Sequence, residues 1–484
     1  MTVAVRLFFT CWLVYALHLA TNTVREIYLS LSIADHLSFR VDEYAGLHPD
    51  LFETPGRGWH INSNPGASMV GAIPYAVFRP LTDYVVARVN HSRATSGQQP
   101  PEYESPWPMA REFFQNSWRR GYDIKFGLAA ILTQTLAMAP LSALGAVAMF
   151  LLLRGICATG QQALWMALLY AFGTPVFFRT GFLNQNMLVA NAAVLGLLAV
   201  WGAAEDPKAR RRWMLAGLAG ATAVLMDYSG VIVLAGLGLW AVIEARSLRP
   251  AAPYVLGAVG PLLLLCFYQW QSFGHPLYPA QHWMPKVAWV EEGYKGVGLP
   301  QLEMLRANAF DLRYGLFTSC PLLLTGLLAP LWIRKDRGRT LGLIAVAAGL
   351  WLFASSVHYS KLQFNTGVRY LVPAIPFLFL PAAMVITKLP AYAAYFLGLL
   401  AVAQAWPMAM YRDVERGLGV MEPLLHVYLG GFQLPLLTVL SRMKGIFGQY
   451  FEHGVSPAPL LVLAGCILYG IWSPRLSGFL SERK

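Results

Sequence analysis

Long apolar stretches alternate with polar loops from one end of the chain to the other. A helix needs roughly 20 predominantly apolar residues to cross a bilayer, and about twelve stretches approach that pattern. The sequence therefore predicts an all-α polytopic membrane protein with about 12 transmembrane helices. The predicted spans lie near residues 4–20, 126–153, 161–178, 186–204, 212–226, 230–245, 254–273, 316–333, 340–357, 369–387, 390–408 and 457–474.

The polar loops form two alternating sets that differ in length and charge. One set of loops is short and rich in Lys and Arg. All loops of this set lie on the same side of the membrane if the apolar run 212–245 forms two short spans rather than one long helix. Short loops with an excess of Lys and Arg stay in the cytoplasm. We therefore expect a protein of the cytoplasmic membrane with both termini cytoplasmic. The loops are EDPKARRR (205–212), EARSLR (244–249), RKDRGR (334–339), Lys388 and the C-terminal residues SERK.

The other set contains three long segments, 21–125, 274–315 and 409–456, which we expect to be extracytoplasmic. The first is too long to be a simple connector between two helices. Within it, residues 66–81 and 112–126 combine apolar side chains with Arg, a composition typical of helices that lie in the membrane interface. We predict a long first extracytoplasmic loop that carries interfacial helices.

Composition agrees with this class of protein. Of the 484 residues, 56% are hydrophobic and 13% are charged, whereas a soluble domain carries about 25% charged residues. The net charge of +12 is concentrated in the short loops, and no basic stripe is interleaved with aromatic residues, so nucleic-acid binding is not expected. The five cysteines lie in or beside apolar segments without a CxxC pair, which predicts small core residues rather than a metal site or disulfides.

The first candidate chemical group follows the first span directly. Arg25 and Glu26 fall at the expected outer membrane surface, and Asp42 and Glu43 follow a short helical run. A carboxylate partly withdrawn from water becomes a better general base. The alternative is that Arg25 and Glu26 only end a helix and sit in water.

Two further polar positions lie at expected outer turns. The turn Asn64-Pro65-Gly66 precedes an interfacial helix whose N-terminal amides could meet an anion, and His60 lies just before it. Asp227 occupies the turn between two spans. The alternatives are an ordinary start of a helix for Asn64 and a helix cap for Asp227.

Basic and aromatic residues gather at the outer ends of later spans. Arginine grips phosphate through its planar fork of donors, although an interfacial arginine can also simply extend its charge into water. All these candidates fall on the side assigned independently from Lys and Arg density, which predicts a single outward-facing site. They are Arg313, His358, Lys361, Arg369 and Tyr370.

Taken together, four segments resemble the GT-C membrane glycosyltransferases. The nearer relatives are bacterial members similar to dolichyl-phosphate-mannose protein mannosyltransferases and lipid A aminoarabinose transferases. The resemblance covers most of the chain to about residue 400, which suggests a GT-C-like transmembrane module over 1–408 and a C-terminal segment, 409–484, with the last transmembrane helix. It rests on Arg25-Glu26 with Tyr28, SNPG (63–66), RYGLF…PLLL (313–324) and GVRYLVPAIPF (367–377).

The resemblance implies an enzyme that moves a sugar from a polyprenyl-phosphate donor to an acceptor hydroxyl, with inversion at the anomeric carbon. It implies a first-loop acid as base, here Glu26 with Asp42 and Glu43 in reserve, and Arg313 and Arg369 on the phosphate. A divalent cation could bridge acid and phosphate, although the sequence does not require one. The expected partners are a lipid-linked sugar, a lipid, glycan or protein acceptor, and membrane lipids.

The chain departs from the family pattern at two positions. Many relatives carry Asp in the first loop and Lys before the Pro-Gly turn, where this chain has Glu26 and Asn64. Phosphate contacts can then shift to Arg25, Lys361 or His358. Two other functions fit the class of protein: a lipid or solute transporter or flippase, and a GT-C-like scaffold without activity. A transporter is expected to show mid-span charges and repeats, which the sequence does not show.

Overall fold

The computed structural model describes residues 1–105, 108–287, 291, 293–361, 367–411, 419–443 and 454–473. Helices dominate this part of the chain. The first third begins with one apolar helix and continues through the predicted first loop, which contains a small antiparallel hairpin. Its elements are α1 (Val3–Leu17), α2 (Arg25–His36), β1 (Leu51–Thr54), β2 (Gly58–Ile61), α3 (Gly66–Ser96) and α4 (Pro108–Arg119).

The central part is a bundle of apolar helices. A five-residue π-helical turn, Gln134–Met138, joins two of them into one long element. The helices are α5 (Asp123–Thr133), α6 (Ala139–Arg154), α7 (Gly160–Phe172), α8 (Val176–Arg179), α9 (Gln185–Val200), α10 (Ala209–Met226), α11 (Gly230–Ala245) and α12 (Ala251–Phe273).

The described residues of the last part form two helices of 20 residues and several shorter ones. Prolines at 321 and 330 remove backbone donors, so the predicted span 316–333 is broken into three short helices. The elements are α13 (Leu302–Phe310), α14 (Leu316–Ser319), α15 (Leu324–Leu327), α16 (Ala329–Trp332), α17 (Arg337–Ser356), α18 (Ile375–Ile386), α19 (Ala391–Met410), α20 (Met421–Gly430), α21 (Pro435–Ser441) and α22 (Ala458–Trp472).

The described residues contain five helices that are long and apolar enough to cross a membrane. A sixth span results if α20 and α21, bent by 73°, are counted as one, and four shorter apolar helices of 10–17 residues accompany them. The all-α architecture of a multi-pass membrane protein is therefore supported, whereas the count of about 12 spans and the GT-C fold remain predictions. The five helices are Asp123–Arg154, Gln185–Glu205, Ala251–Phe273, Arg337–Ser356 and Ala391–Met410.

The two predicted interfacial helices have different bounds in the structure. The helix predicted over 66–81 continues to Ser96, because no breaker follows until Gly97, which takes a left-handed conformation with φ of 62°. The stretch 112–126 is two helices, because the chain turns at Gly121 with φ of 72°.

The run 212–245 forms two helices, α10 and α11, separated by a turn at Asp227.

Two opposite ends of the bundle can be distinguished along α10. Near its start, the Arg339 guanidinium contacts the Glu244 carboxylate at 2.9 Å, and Glu244 also accepts from the Gly202 amide. This basic end gathers loops 205–212, 244–249 and 334–339. At its other end, the Val224 carbonyl accepts a hydrogen bond from Asn64. We name this second end the site end.

Candidate functional site

Arg25 is the centre of a polar cluster at the site end. Its Nε donates to Glu26 Oε1 at 3.1 Å, and its Nη1 donates to Asp50 Oδ2 at 2.9 Å and to Asn62 Oδ1 at 2.8 Å. The Asn62 amide closes the ring by donating to Asp50 Oδ1 at 3.0 Å. One guanidinium therefore binds two carboxylates and an amide. We call these four residues the Arg25 cluster.

The β-hairpin explains why Asp50 and Asn62 meet. Leu51 pairs with Ile61 in the antiparallel register, so the residues just outside this pair, Asp50 and Asn62, face each other. The backbone N–H of Asn62 also donates to the backbone carbonyl of Asp50 at 3.2 Å. Gly58 lies in the connection with φ of 88°, and a Cβ there would be 2.5 Å from the Asp42 carboxylate. A glycine is therefore required for the turn that aligns the strands.

The two carboxylates of the cluster differ in access to solvent. The Glu26 side chain is 4% exposed and the Arg25 side chain 14%, whereas the Asp50 side chain is 35% exposed. Glu26 lies in the first turn of α2, where a negative charge is favourable next to the unpaired helix amides. Asp50 is therefore the acid of this cluster that a substrate can approach most easily.

Charge around Asp50 keeps it ionised. Burial alone would raise the pKa of its carboxyl, but the Arg25 guanidinium, His48, Arg369 and the hydrogen bond from Asn62 together hold this pKa below its usual value. Burial lowers the pKa of His48, so that its ring is neutral at pH 7. Consistent with that state, His48 Nδ1 accepts from the Asp50 amide at 3.0 Å.

Three further predicted residues lie within electrostatic reach of the site end. Arg369 acts electrostatically on Asp50, and Tyr370 acts on Arg25. Asp227 accepts from the Gln185 side chain at 2.8 Å and from the Ser229 amide at 2.9 Å. Arg25, Asp227, Arg369 and Tyr370 all act electrostatically on Tyr359. The structure thus brings these four predicted residues together, with Glu26 bound to Arg25.

Arg179 adds a buried positive charge next to these residues. Its Nε donates to the Val368 carbonyl at 2.7 Å and its Nη2 to the Gly367 carbonyl at 2.5 Å. These two carbonyls directly precede Arg369, with which Arg179 interacts electrostatically. Two guanidinium groups that are close enough to interact favour the binding of an anion between them.

His60 and Asn64 have partners of a structural kind. Asn64 Nδ2 donates to the Val224 carbonyl at 2.7 Å, which ties the start of α3 to the end of α10. His60 is buried, with its ring 5.1 Å from the Phe273 ring and its Nδ1 3.1 Å from the Gly58 carbonyl. Both hold the hairpin and α3 in place behind the Arg25 cluster.

Asp42 and Glu43 belong to a different set of contacts. Asp42 is exposed, pairs with Arg40 at 2.6 Å and accepts from the Trp59 amide. Glu43 pairs with His36 at 3.3 Å and lies 3.9 Å from the Lys125 ammonium. The two reserve acids therefore pair with residues outside the Arg25 cluster, whereas Glu26 pairs with Arg25.

Arg313 and His358 lie outside the Arg25 cluster. The Arg313 side chain is 61% exposed and pairs with Asp311 at 3.3 Å. His358 Nδ1 lies 2.8 Å from the Gln301 amide. The Lys361 side chain lies outside the described residues.

The described residues contain no preformed metal-binding site. Within them, no group of three or more His, Cys, Asp or Glu side chains is placed to hold an ion. The carboxylates nearest the site end, Glu26 and Asp50, are bound by Arg25 instead.

Sequence reasoning missed Asp50, Asn62 and Arg179. The motif HPDLFE…GWHIN contains the signal for the first two, because a strand followed by a glycine turn and a second strand places the flanking polar residues opposite each other. Arg179, at the end of an apolar stretch, could have been found as an unusual charge next to a predicted span.

Comparison of the chain with models of protein families, with curated proteins and with solved structures found no match. The site is therefore interpreted from the geometry of its own residues.

Proposed function

We propose that this protein is a membrane glycosyltransferase that moves a sugar from a polyprenyl-phosphate donor to an acceptor hydroxyl. The Arg25 cluster is the observation that carries the proposal, because it offers one shielded and one accessible carboxylate beside Arg369. Such a site can accept a proton and an anionic phosphate at the same time. The resemblance of the sequence to GT-C enzymes supports the same class of reaction.

The reaction is a single displacement at the anomeric carbon. The acceptor oxygen attacks that carbon and loses its proton to a carboxylate, while the bond to the phosphate oxygen breaks. The phosphate leaves with the electron pair, so it needs no general acid. Arg369 stabilises the charge that develops on it, as an aligned cation does in a site shielded from water. The configuration of the anomeric carbon is inverted.

Asp50 is the carboxylate that we assign to the proton transfer. Glu26, the base predicted from sequence, is shielded, and we assign it the role of orienting Arg25. The low pKa of Asp50 is compatible with this role because the attacking hydroxyl becomes strongly acidic as its new bond forms. The carboxylate must be ionised before that moment, and Arg25 together with Asn62 ensures this state.

A transfer assay with matched variants tests the proposal. The purified protein in phospholipid vesicles receives radiolabelled polyprenyl-phosphate sugars extracted from the membranes in which it is produced, together with the lipid and glycan fractions of those membranes. We expect wild-type transfer, and a loss of about 100-fold or more in Asp50→Asn, the usual effect of removing a general base. Glu53→Gln removes an exposed acid of the same hairpin and is the matched control.

The lipid that copurifies with each variant separates the rival functions. Native mass spectrometry should find polyprenyl phosphate or its glycosyl form on both wild type and Asp50→Asn, so that binding survives while transfer is lost. Transport of labelled lipid across the vesicle membrane without sugar transfer would instead establish a flippase. Absence of both transfer and polyprenyl lipid in the wild type would refute the proposed function.

A further inference from the structure

The surroundings of the Asp227 carboxylate differ from those of Glu26 and Asp50. Asp227 Oδ2 accepts from the Gln185 side-chain amide at 2.8 Å, and its Oδ1 accepts from the Ser229 backbone N–H at 2.9 Å. Both donors are neutral, whereas Glu26 and Asp50 are bound by the Arg25 guanidinium. No Lys, Arg or His of the described residues forms an ion pair with Asp227. Within this part of the chain, its negative charge is not balanced by a direct contact.

The Asp227 carboxylate has capacity for a ligand. An ionised carboxylate has about four acceptor positions, and the bonds from Gln185 and Ser229 occupy two of them. Asp227 is half-buried, so it is still open to its surroundings. A ligand with hydrogen-bond donors can therefore use the remaining positions.

The end of α10 places Asp227 near the Arg25 cluster. The Asn64 side chain donates to the Val224 carbonyl at 2.7 Å, three residues before Asp227. Asn64 follows Asn62 of the cluster by two residues, and two residues span at most about 7 Å. The last turn of α10 and the Arg25 cluster are therefore neighbours.

The partner Gln185 connects the same carboxylate with the region of Arg369. Gln185 is the first residue of α9, and α9 packs against the turn Val372–Ala374, which closely follows Arg369 in the chain. Asp227 and Arg369 both act electrostatically on Tyr359. The site end therefore has a negative group that accepts hydrogen bonds and, close to it, a positive group that favours an anion.

We propose that Asp227 binds hydroxyl groups of the sugar that is transferred, while Arg369 holds the phosphate of the same donor. This inference rests on the proposed function. Hydrogen bonds from hydroxyls to an ionised carboxylate are about twice as strong as those between neutral groups. A polyprenyl phosphate that has lost its sugar has no such hydroxyls. Asp227 therefore distinguishes the glycosyl donor from the spent lipid and determines which sugar is accepted.

Replacement of Asp227 by Asn separates sugar binding from a role in the turn. An Asn side-chain oxygen can accept from the Ser229 N–H just as Asp does, and the Gln185 amide can rotate to accept from the new NH2 group. Asp227→Asn therefore preserves the turn and removes only the charge. Asp83→Asn makes the same chemical change at an exposed acid of α3, 53% exposed, and is the matched control.

Competition between two lipids tests the inference without an acceptor. The purified full-length proteins receive an equimolar mixture of polyprenyl phosphate and the polyprenyl-phosphate sugars extracted from the membranes in which the protein is produced. Native mass spectrometry then measures the ratio of the two bound forms. We expect wild type and Asp83→Asn to prefer the glycosyl form, and Asp227→Asn to reduce this preference at least tenfold while it binds polyprenyl phosphate as well as wild type does.

The outcomes separate this inference from the proposed function. An equal ratio in wild type and Asp227→Asn, or loss of both lipids in the variant, would overturn the assignment of Asp227 and leave the transferase in place. Binding of neither lipid by the wild type would overturn both. Equal apparent melting temperatures show that a changed ratio is not lost folding. Asp227→Ser, which also keeps an acceptor for the turn, is a second variant with the same expected ratio.

Discussion

His60, one of two first-loop histidines whose pKa is lowered by burial, makes the stability of this loop depend on pH. His60 lies in β2 beneath the Phe273 ring, and its Nδ1 is next to the Gly58 carbonyl. Burial lowers the pKa of His60 to about 4, and Arg40 and Arg57 act in the same direction, although Asp42 and the Gly58 carbonyl oppose them. The folded hairpin therefore resists protonation of His60.

Stability should fall as the pH is lowered through the range from about 6.5 to 4. Below pH 6.5 the unfolded chain binds a proton at His60 that the folded chain refuses, so the folded state loses relative stability until about pH 4. This effect is at most about 3 kcal/mol. The apparent melting temperature at pH 7.5 and at pH 5 measures it. His60→Asn, which keeps a polar atom near Gly58, should reduce the difference, and an unchanged difference would contradict the assignment.

At the level of single residues, the sequence revealed one half of the Arg25 cluster. Arg25 and Glu26 are neighbours in the chain, so their position after an apolar stretch was sufficient to select them. Asp50 lies 25 residues from Arg25, and although the hairpin motif predicts that Asp50 faces Asn62, no local pattern specifies that the hairpin packs against Arg25. Asp42 and Glu43 were selected by sequence proximity to Glu26, but the fold gives them other partners.

At the level of elements, two helices approach through glycine. A Cβ on Gly217 of α10 would lie 1.9 Å from the Tyr254 carbonyl oxygen, and one on Gly257 of α12 would lie 1.9 Å from the Met214 carbonyl oxygen. The backbones are therefore in direct contact. Small residues allow such close packing between helices in a membrane, where dispersion rather than the hydrophobic effect drives association.

Gly257→Ala should destabilise the protein by about 1–3 kcal/mol, because the added methyl group forces α10 and α12 apart. Gly260 is in the same helix with nothing within 4 Å of its missing Cβ. Gly260→Ala should therefore leave stability unchanged or raise it slightly, since alanine favours helix. Apparent melting temperatures of both variants in one detergent compare them, and equal behaviour would refute direct backbone contact.

Apolar periodicity predicted the long helices better than the broken ones. Stretches 254–273 and 340–357 coincide closely with α12 and α17. The stretch 161–178 ends early at Phe172, because Pro175 follows Gly173 and Thr174 in a turn. Average hydropathy does not distinguish an apolar helix from an apolar bend, so the number of complete spans cannot be derived from it alone.

For the whole molecule, charge separates the two ends of the bundle. Arg339 lies over the Trp201 ring at 5.2 Å and pairs with Glu244, so three short basic loops meet at the basic end. The Arg25 cluster lies at the other end of α10, whose 18 residues span about 27 Å. That length is close to the thickness of a bilayer core, about 30 Å. The sequence predicts that the apolar part of α10, residues 212–226, crosses the membrane, and such a crossing would place the two ends in different compartments.

Cysteine labelling determines which end is cytoplasmic. In a background without the five native cysteines, Lys335→Cys marks the exposed basic loop and Ser96→Cys the exposed end of α3. An impermeant maleimide should label Ser96→Cys in right-side-out vesicles and Lys335→Cys in inside-out vesicles, because basic loops remain on the cytoplasmic side. A lipid-linked donor would then be used on the extracytoplasmic side. Labelling of both positions in one type of vesicle would place both ends in one compartment and refute the predicted topology.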